Sequence, residues 1–339
     1  MRSIRSEDEI LAKWKGEVDK PVVSICCITY NHELYIEDAL EGFLIQETDF
    51  PFEILIHDDA STDGTADIIR EYEAKYPKLM KPIYQVENQY SKLPSISPRF
   101  LFPIANGKYI AMCEGDDCWI DKEKLQKQVV FLESNKEYIA CYHNSKIIDE
   151  IDRVINDELI SAPKDYQEND LLSASAFITV HSVMFRNVIK FKDEFNTLPF
   201  GDMMLWHLFG HYGKVKYLPD IEYAMYRWHE EGVWSSLDAI TKLRKTLLAR
   251  KVIRTKLASN LGAAKMLDAG TSAYVQNNLT GALKAHSFKL YWQLAVYLFK
   301  YEYLPKHRIV LWVLLSLYAF IGYQFFNALR FFKVIYESR

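Results

Sequence analysis

Short continuous apolar runs alternate with helix-spaced ones along the first part of the chain. Val22 to Ile28, VVSICCI, follows a proline and predicts a strand buried on both faces. Tyr30, Asn31 and His32 break that run, and Ile36, Leu40, Phe43 and Leu44 then recur at helical spacing across Glu33 to Gln46. Phe52 to Ile56 predicts a second buried strand, ended by HDDASTDGT, and Ala66 to Tyr76 a helix that stops at Pro77. A weaker strand near Pro82 to Val86, a strand over Lys108 to Cys113, a charged helix from Asp121 to Ser134 and a strand over Tyr138 to His143 continue the series. This alternation predicts an α/β fold with a doubly wound, mostly parallel sheet flanked by helices, whose ligands belong at the carboxyl ends of the strands. Residues 1–20 read as a polar, helical lead-in. The stretch 145–180 is less regular, a strand is expected at Val183 to Phe185 and a helix at Gly201 to Tyr212, and 238–300 is helical in pattern. No internal repeat interrupts this order.

Composition narrows the class. The 339 residues are 49% hydrophobic and 25% charged, enough to bury a large core, which excludes disorder as the dominant state. Five scattered cysteines with no CxxC pair exclude a disulfide scaffold and a zinc ribbon, and suit free thiols in a reducing compartment. The opening MRSIRSEDEILAKW places charges where a secretory signal needs an apolar run. Charge is divided unevenly: from Asp238 onward 16 Lys and Arg face 4 Asp and Glu, or +12, leaving −16 for residues 1–237. Within that basic region, Ile309 to Leu329 is a 21-residue stretch without a charge, flanked by Lys306, His307, Arg308, Arg330 and Lys333. At ~1.5 Å per residue a helix of that length reaches roughly 30 Å, the thickness of a hydrocarbon core. Ser316, Gln324, Asn327 and the many aromatics equally suit a helix lying in the interface, so the expectation is an anionic membrane surface met through C-terminal helices. Nucleic acid is not expected, because the basic run carries no zinc-finger, recognition-helix or RNP pattern.

The chemistry gathers at strand exits. Asp58 and Asp59 are adjacent carboxylates whose repulsion needs a donor group, a base edge or a cation to offset it, whereas Ser61, Thr62, Asp63 and Gly64 are accounted for as turn and cap residues. Glu114, Gly115, Asp116 and Asp117 put three carboxylates at the next strand exit, a donor set for Mg²⁺ or Mn²⁺ completed by phosphate oxygens and water. There is no GxxxxGK[ST] or GxGxxG, so diphosphate charge must be met by the metal and by Arg, Lys or His. Asp202 heads a helix, where capping is its simplest role. Arg227 and His229 lie in YRWHEEGVWSS and would bring positive charge to an acidic edge. His207 and His211 stand four apart in HLFGH without the glutamate of HExxH, which fits core or surface histidines.

In that order, VVSICCITYNHELYIEDAL, EILIHDDASTDGTADII and GKYIAMCEGDDCWIDKEKLQKQ resemble the nucleotide-sugar-binding half of family 2 glycosyltransferases of the bacterial cell-surface polysaccharide type. The resemblance is strong over 21–135 and weaker to about residue 236. It implies a GT-A domain over 21–237, divided into a nucleotide-sugar-binding half (21–135) and an acceptor half (136–237), followed by a basic, membrane-associated helical region over 238–339. It further implies that Thr29, Tyr30, Asn31 and Glu33 cup the nucleotide, that Asp59 recognises the base with Asp58 in support, and that Asp117 binds the metal with Asp116 beside the ribose and Glu114 completing the motif. The EGDD sequence departs from a strict DxD, and the loop around Arg99, the position nearest a diphosphate-contacting arginine, differs from the usual ARN. Arg227, His229 and Trp234 match a segment that closes the donor site. Asp202 matches the general base that deprotonates an acceptor hydroxyl in an inverting displacement. The function so implied is metal-dependent hexosyl transfer from a nucleotide sugar, UDP favoured, to a glycan or lipid-linked glycan, by a protein at the cytoplasmic face of the membrane. A sugar nucleotidyltransferase and a silent GT-A scaffold that binds carbohydrate are the alternatives.

Overall fold

The computed structural model describes residues 4–93, 95–191, 201–285 and 287–300, with scattered positions between 309 and 321. Contacts divide the chain into two compact units, Met1–Ser236 and Leu237–Arg339. In the first unit, α1 (Glu7–Leu11) precedes β1 (Val23–Thr29), α2 (Ile36–Leu44), β2 (Phe52–Asp58), α3 (Thr65–Lys75), β3 (Met80–Tyr84), α4 (Ile96–Phe100), β4 (Tyr109–Glu114), α5 (Lys124–Ser134) and β5 (Tyr138–Tyr142). After these come β6 (Ser145–Ile148), β7 (Val154–Asn156), α6 (Glu168–Leu172), β8 (Met184–Arg186), α7 (Gly201–Phe209), β9 (Lys214–Tyr217) and β10 (Ala224–Arg227).

Seven strands form the main sheet in the order β3-β2-β1-β4-β8-β5-β9. Pairing is parallel from β3 to β4, antiparallel on both sides of β8, and parallel again between β5 and β9. Register aligns the strand ends: Thr29 pairs with Asp58 and Ile28 with Glu114, so the polar residues that terminate β1, β2 and β4 emerge along one edge. The strands are buried because helices cover them. Phe43 of α2 meets Trp119 edge-on with ring centroids 4.9 Å apart, and α2 approaches so closely that a Cβ on Gly42 would come within 2.9 Å of the Trp119 backbone.

One difference from the sequence reading lies in 145–180. Instead of irregular chain, β6 and β7 join β10 in a second, three-stranded sheet of order β10-β6-β7. Its strands are short and β7 is wholly exposed, so they carry neither an apolar run nor a clear alternation.

The second unit contains α8 (Ala239–Lys256), α9 (Leu261–Lys284) and α10 (Phe288–Lys300). Asp238 caps α8 by accepting the Ile240 and Thr241 amides. Leu243, Leu247, Val275, Leu279, Leu283, Tyr291, Leu294 and Leu298 form its core. Outside that core, Phe288, Trp292 and Val296 form an exposed stripe at four-residue spacing on α10. Among the described residues, no helix is long and apolar enough to cross a membrane. The apolar segment Ile309 to Leu329 lies mostly outside the described residues.

Candidate active site

The β1 and β2 exits are tied to each other. Asn31 adopts a left-handed conformation, φ 55°, which asparagine tolerates, and it accepts the Thr62 amide while its own amide donates to Ser61 Oγ. Glu33 accepts the Gly64 amide at 2.8 Å and donates its own to Asp63. Asn31 and Glu33 therefore brace the loop, and Tyr30 is left 43% exposed beside it. Asp58 accepts the Ser61 amide and hydroxyl. The Asp59 oxygens accept the Gln89 amide at 2.7 Å and the Tyr90 amide at 2.9 Å, so this carboxylate organises the segment after β3. Arg99 lies on this side, with its guanidinium over Phe100 and its charge helping to depress the buried His57 imidazole after burial itself.

The β4 exit makes the acidic loop. Gly115 is required there, since a Cβ would stand 2.6 Å from Thr29 Oγ1. Asp116 faces outward: its Oδ2 is 3.0 Å from His229 Nε2 and 3.7 Å from His32 Nε2. Burial works to raise its carboxyl, but the His32 and His229 imidazoles outweigh it and hold Asp116 below the usual carboxylate range. His229 is raised in return, first by its hydrogen bond to Asp116. Asp117 faces inward. Its Oδ1 accepts the Arg227 amide at 2.9 Å, and its Oδ2 lies 2.7 Å from His181 Nδ1. That imidazole contact is close but out of line, so Oδ2 has no aligned hydrogen-bond donor despite complete burial. Burial raises the Asp117 carboxyl, only partly opposed by His181. Glu114 is pushed well above its ordinary value by burial and then by the charges of Asp116, Asp117 and Asp202.

Arg227, at the end of β10, is held by partners within the protein. Its buried guanidinium donates to the Asp116 carbonyl at 3.1 Å, to Asp152 at 2.6 Å and to Asp38 at 2.8 Å, and lies over the Tyr35 ring. It thus ties the acidic loop to α2 and to the turn between β6 and β7. Beyond it, the Ser235 hydroxyl donates to the His229 carbonyl, folding the loop that carries the exposed Trp234. Asp202 lies in the first turn of α7 and accepts the Met203 amide. Its side chain reaches solvent, yet crowding by surrounding protein raises its carboxyl. Residues 192–200, which lead into it, lie outside the described residues. His207 is a core histidine bonded to the Leu172 carbonyl, and all five cysteines are buried free thiols.

Among the described residues, two groups of side chains offer ligand atoms within 4.8 Å of one another: Glu114, Asp116 and Asp117, and His32, Asp116 and His229. Asp116 belongs to both. The residues fit a divalent cation, because the loop concentrates carboxylates around an Asp117 oxygen that is buried without an aligned donor, and a cation answers both conditions. Sequence reasoning passed over His32, Tyr35, Asp38, Asp152 and His181. His32 sits in TYNHE and was readable only as a strand breaker, and a lone His181 has no spacing partner.

The sheet order and its connections, with helices on both faces, are those of a GT-A glycosyltransferase fold. Residues 24–193 match the description Glycosyl transferase family 2, half of the chain, and the chain belongs to that family. An uncharacterized protein of Mycobacterium tuberculosis, Rv1520, is 38% identical over 231 residues, 66% of this chain and 63% of that protein. The chain therefore spans under two thirds of that relative's length. The Escherichia coli enzyme WfaP, named as a UDP-Glc:alpha-D-GlcNAc-diphosphoundecaprenol beta-1,3-glucosyltransferase, is 34% identical over 143 residues, 42% of this chain and 53% of that one. The mannosyltransferase PcManGT of Pyrobaculum calidifontis, solved with GDP-Man and Mn²⁺, has the same fold, with a TM-score of 0.51 at 16% identity over 92% of this chain and 90% of that one.

Proposed function

We propose that the chain is a metal-dependent, inverting glycosyltransferase that moves a hexosyl group from a UDP-sugar to a hydroxyl of a glycan or lipid-linked glycan. The observation that carries this reading is Asp116, shared by two ligand groups on the edge that also holds Asp59 and lies within electrostatic reach of Asp202 through Glu114. The donor and acceptor named for WfaP support the UDP-sugar and the lipid-linked glycan, and the complex of PcManGT supports Mn²⁺.

In this reading Asp116 is the principal metal ligand, with Glu114, Asp117, His32 and His229 around it. Burial favours that weighting over one centred on Asp117, because Asp116 is the carboxylate that faces outward. A divalent ion held there supplies positive charge to the diphosphate leaving group. Thr29, Tyr30, Asn31, Glu33, Asp58 and Asp59 shape the nucleotide pocket, Arg99 flanks it, and Trp234 covers the sugar. Arg227 acts through Asp116, whose carbonyl it holds. Asp202 accepts the acceptor hydroxyl proton at its carboxylate as the new bond to the anomeric carbon forms and the bond to the diphosphate oxygen breaks. A raised carboxyl is the better base for that transfer. The basic C-terminal unit, with the apolar stripe on α10, docks on an anionic membrane surface at the cytoplasmic face, close to lipid-linked acceptors.

Thermal melting of the full chain with UDP, GDP or UDP-sugars, in Mn²⁺ or in EDTA, tests the donor side. A ligand at about 100 times its Kd adds about 2.7 kcal/mol, which moves Tm by about 4 °C at this size. UDP with Mn²⁺ should give that shift and EDTA should remove it. Melting that ignores every nucleotide overturns the reading.

A further inference from the structure

His181 is 2% exposed in a 3-10 turn, Val180–Ser182, and stacks on Tyr226 of β10 at 5.7 Å with an 18° interplanar angle. One ring nitrogen, Nδ1, is 2.7 Å from Asp117 Oδ2. The other, Nε2, is 2.6 Å from Ser145 Oγ on β6. Contact with a carboxylate at that range demands a proton on Nδ1, since two lone pairs there would repel. Nε2 then accepts from the Ser145 hydroxyl. The Ser145 hydroxyl also lies 3.3 Å from Thr179 Oγ1, but the imidazole nitrogen at 2.6 Å is the nearer partner for its proton. On its other side the turn is held by Trp119 Nε1, which donates to the His181 carbonyl at 2.6 Å. Ring, backbone and both nitrogens are thereby fixed by three separate elements.

Resting on the metal reading above, we propose that His181 is a positioning residue that presets Asp117, and through it the acidic loop, for the divalent ion. The Asp117 side chain has two oxygens and two anchors: the Arg227 amide on one and the imidazole beside the other. Because the imidazole sits off the hydrogen-bond axis, it limits where Oδ2 can move and leaves that oxygen's remaining lone pair open to a cation. A carboxylate beside Glu114 and Asp116 would otherwise turn away from them by like-charge repulsion. Partners of metal-ligating side chains that act this way change metal affinity by about 10- to 100-fold when removed.

The test is Mn²⁺ binding to the full chain without nucleotide, read from the electron paramagnetic resonance of free Mn²⁺, with melting recorded in parallel. His181→Phe keeps a ring against Tyr226 and removes both nitrogens, so the Mn²⁺ Kd should rise at least about tenfold. His181→Asn can place an amide N–H near the Nδ1 position and should remain within about threefold of the parent. Ser145→Ala removes the far anchor and should fall between the two. Parental affinity in folded His181→Phe overturns the proposal, and so do equal losses in the Phe and Asn variants at equal Tm, which would mark mere packing. If the Phe variant does not fold, Ser145→Ala decides, and unchanged Mn²⁺ affinity there overturns it. A parent chain that binds no Mn²⁺ overturns the metal reading itself, an outcome distinct from failure at His181 alone.

Discussion

Asp116 and Asp117 are neighbours in sequence with opposite surroundings. One has its carboxyl lowered by two imidazoles and faces the open edge, while the other is raised by burial and faces the interior. Composition marks both as acidic and no more; which of them points outward is set by residues that arrive from elsewhere, His229 after β10 and His181 before β8. This is why the acidic loop was legible in the sequence and its division of labour was not. Asp59 is a similar case, visible as a charge cluster but committed to the Gln89 and Tyr90 amides, partners that no local pattern predicts. The carboxylate with the most at stake is Asp202. Asp202→Asn keeps an oxygen to accept the Met203 amide and loses only the capacity to take a proton. It should lower kcat about 10²- to 10⁴-fold, while the Kd for UDP with Mn²⁺ stays within about twofold. Single-turnover transfer and equilibrium binding measure the two, and near-parental kcat would remove Asp202 from the base role.

Strands β1, β2 and β4 were readable because each is buried on both faces and mostly apolar, with Ser24 and Glu53 the interior exceptions in β1 and β2. The small sheet of β6, β7 and β10 was not, because its strands are three or four residues long and partly or wholly exposed. Yet this small sheet delivers Arg227, and Arg227 connects three elements. Its partners Asp38 and Asp152 are well exposed, so their charges are screened and each ion pair is worth little alone. The larger contributions are the bond to the Asp116 carbonyl and the packing over Tyr35. Arg227→Met keeps most of the packing volume and removes the donors. It should cost about 1–3 kcal/mol, measured by urea unfolding, and weaken Mn²⁺ binding through the loop. Stability and binding both equal to the parent would show that β10 does not hold the loop.

At the scale of the whole chain, charge separates by unit. The second unit carries the excess of Lys and Arg, and its α10 stripe leaves Trp292 54% exposed. Nearby basic side chains add roughly 1 kcal/mol each at an anionic surface, and a partly buried indole adds to that. Flotation with vesicles rich in phosphatidylglycerol should carry the full chain upward, and vesicles of phosphatidylcholine should not. Trp292→Glu should lower the floated fraction severalfold without altering UDP binding. Equal flotation on both lipids, or none on either, would end the docking idea. The first unit has its own long-range feature in the Arg227–Asp38 ion pair, which joins positions 189 residues apart. A ribosome adding about 5–20 residues per second exposes β1, β2 and β4 many seconds before Arg227 and His229 leave the exit tunnel. Until then the nascent chain has these strands but neither the His229 imidazole beside Asp116 nor the Arg227 bond to the Asp116 carbonyl.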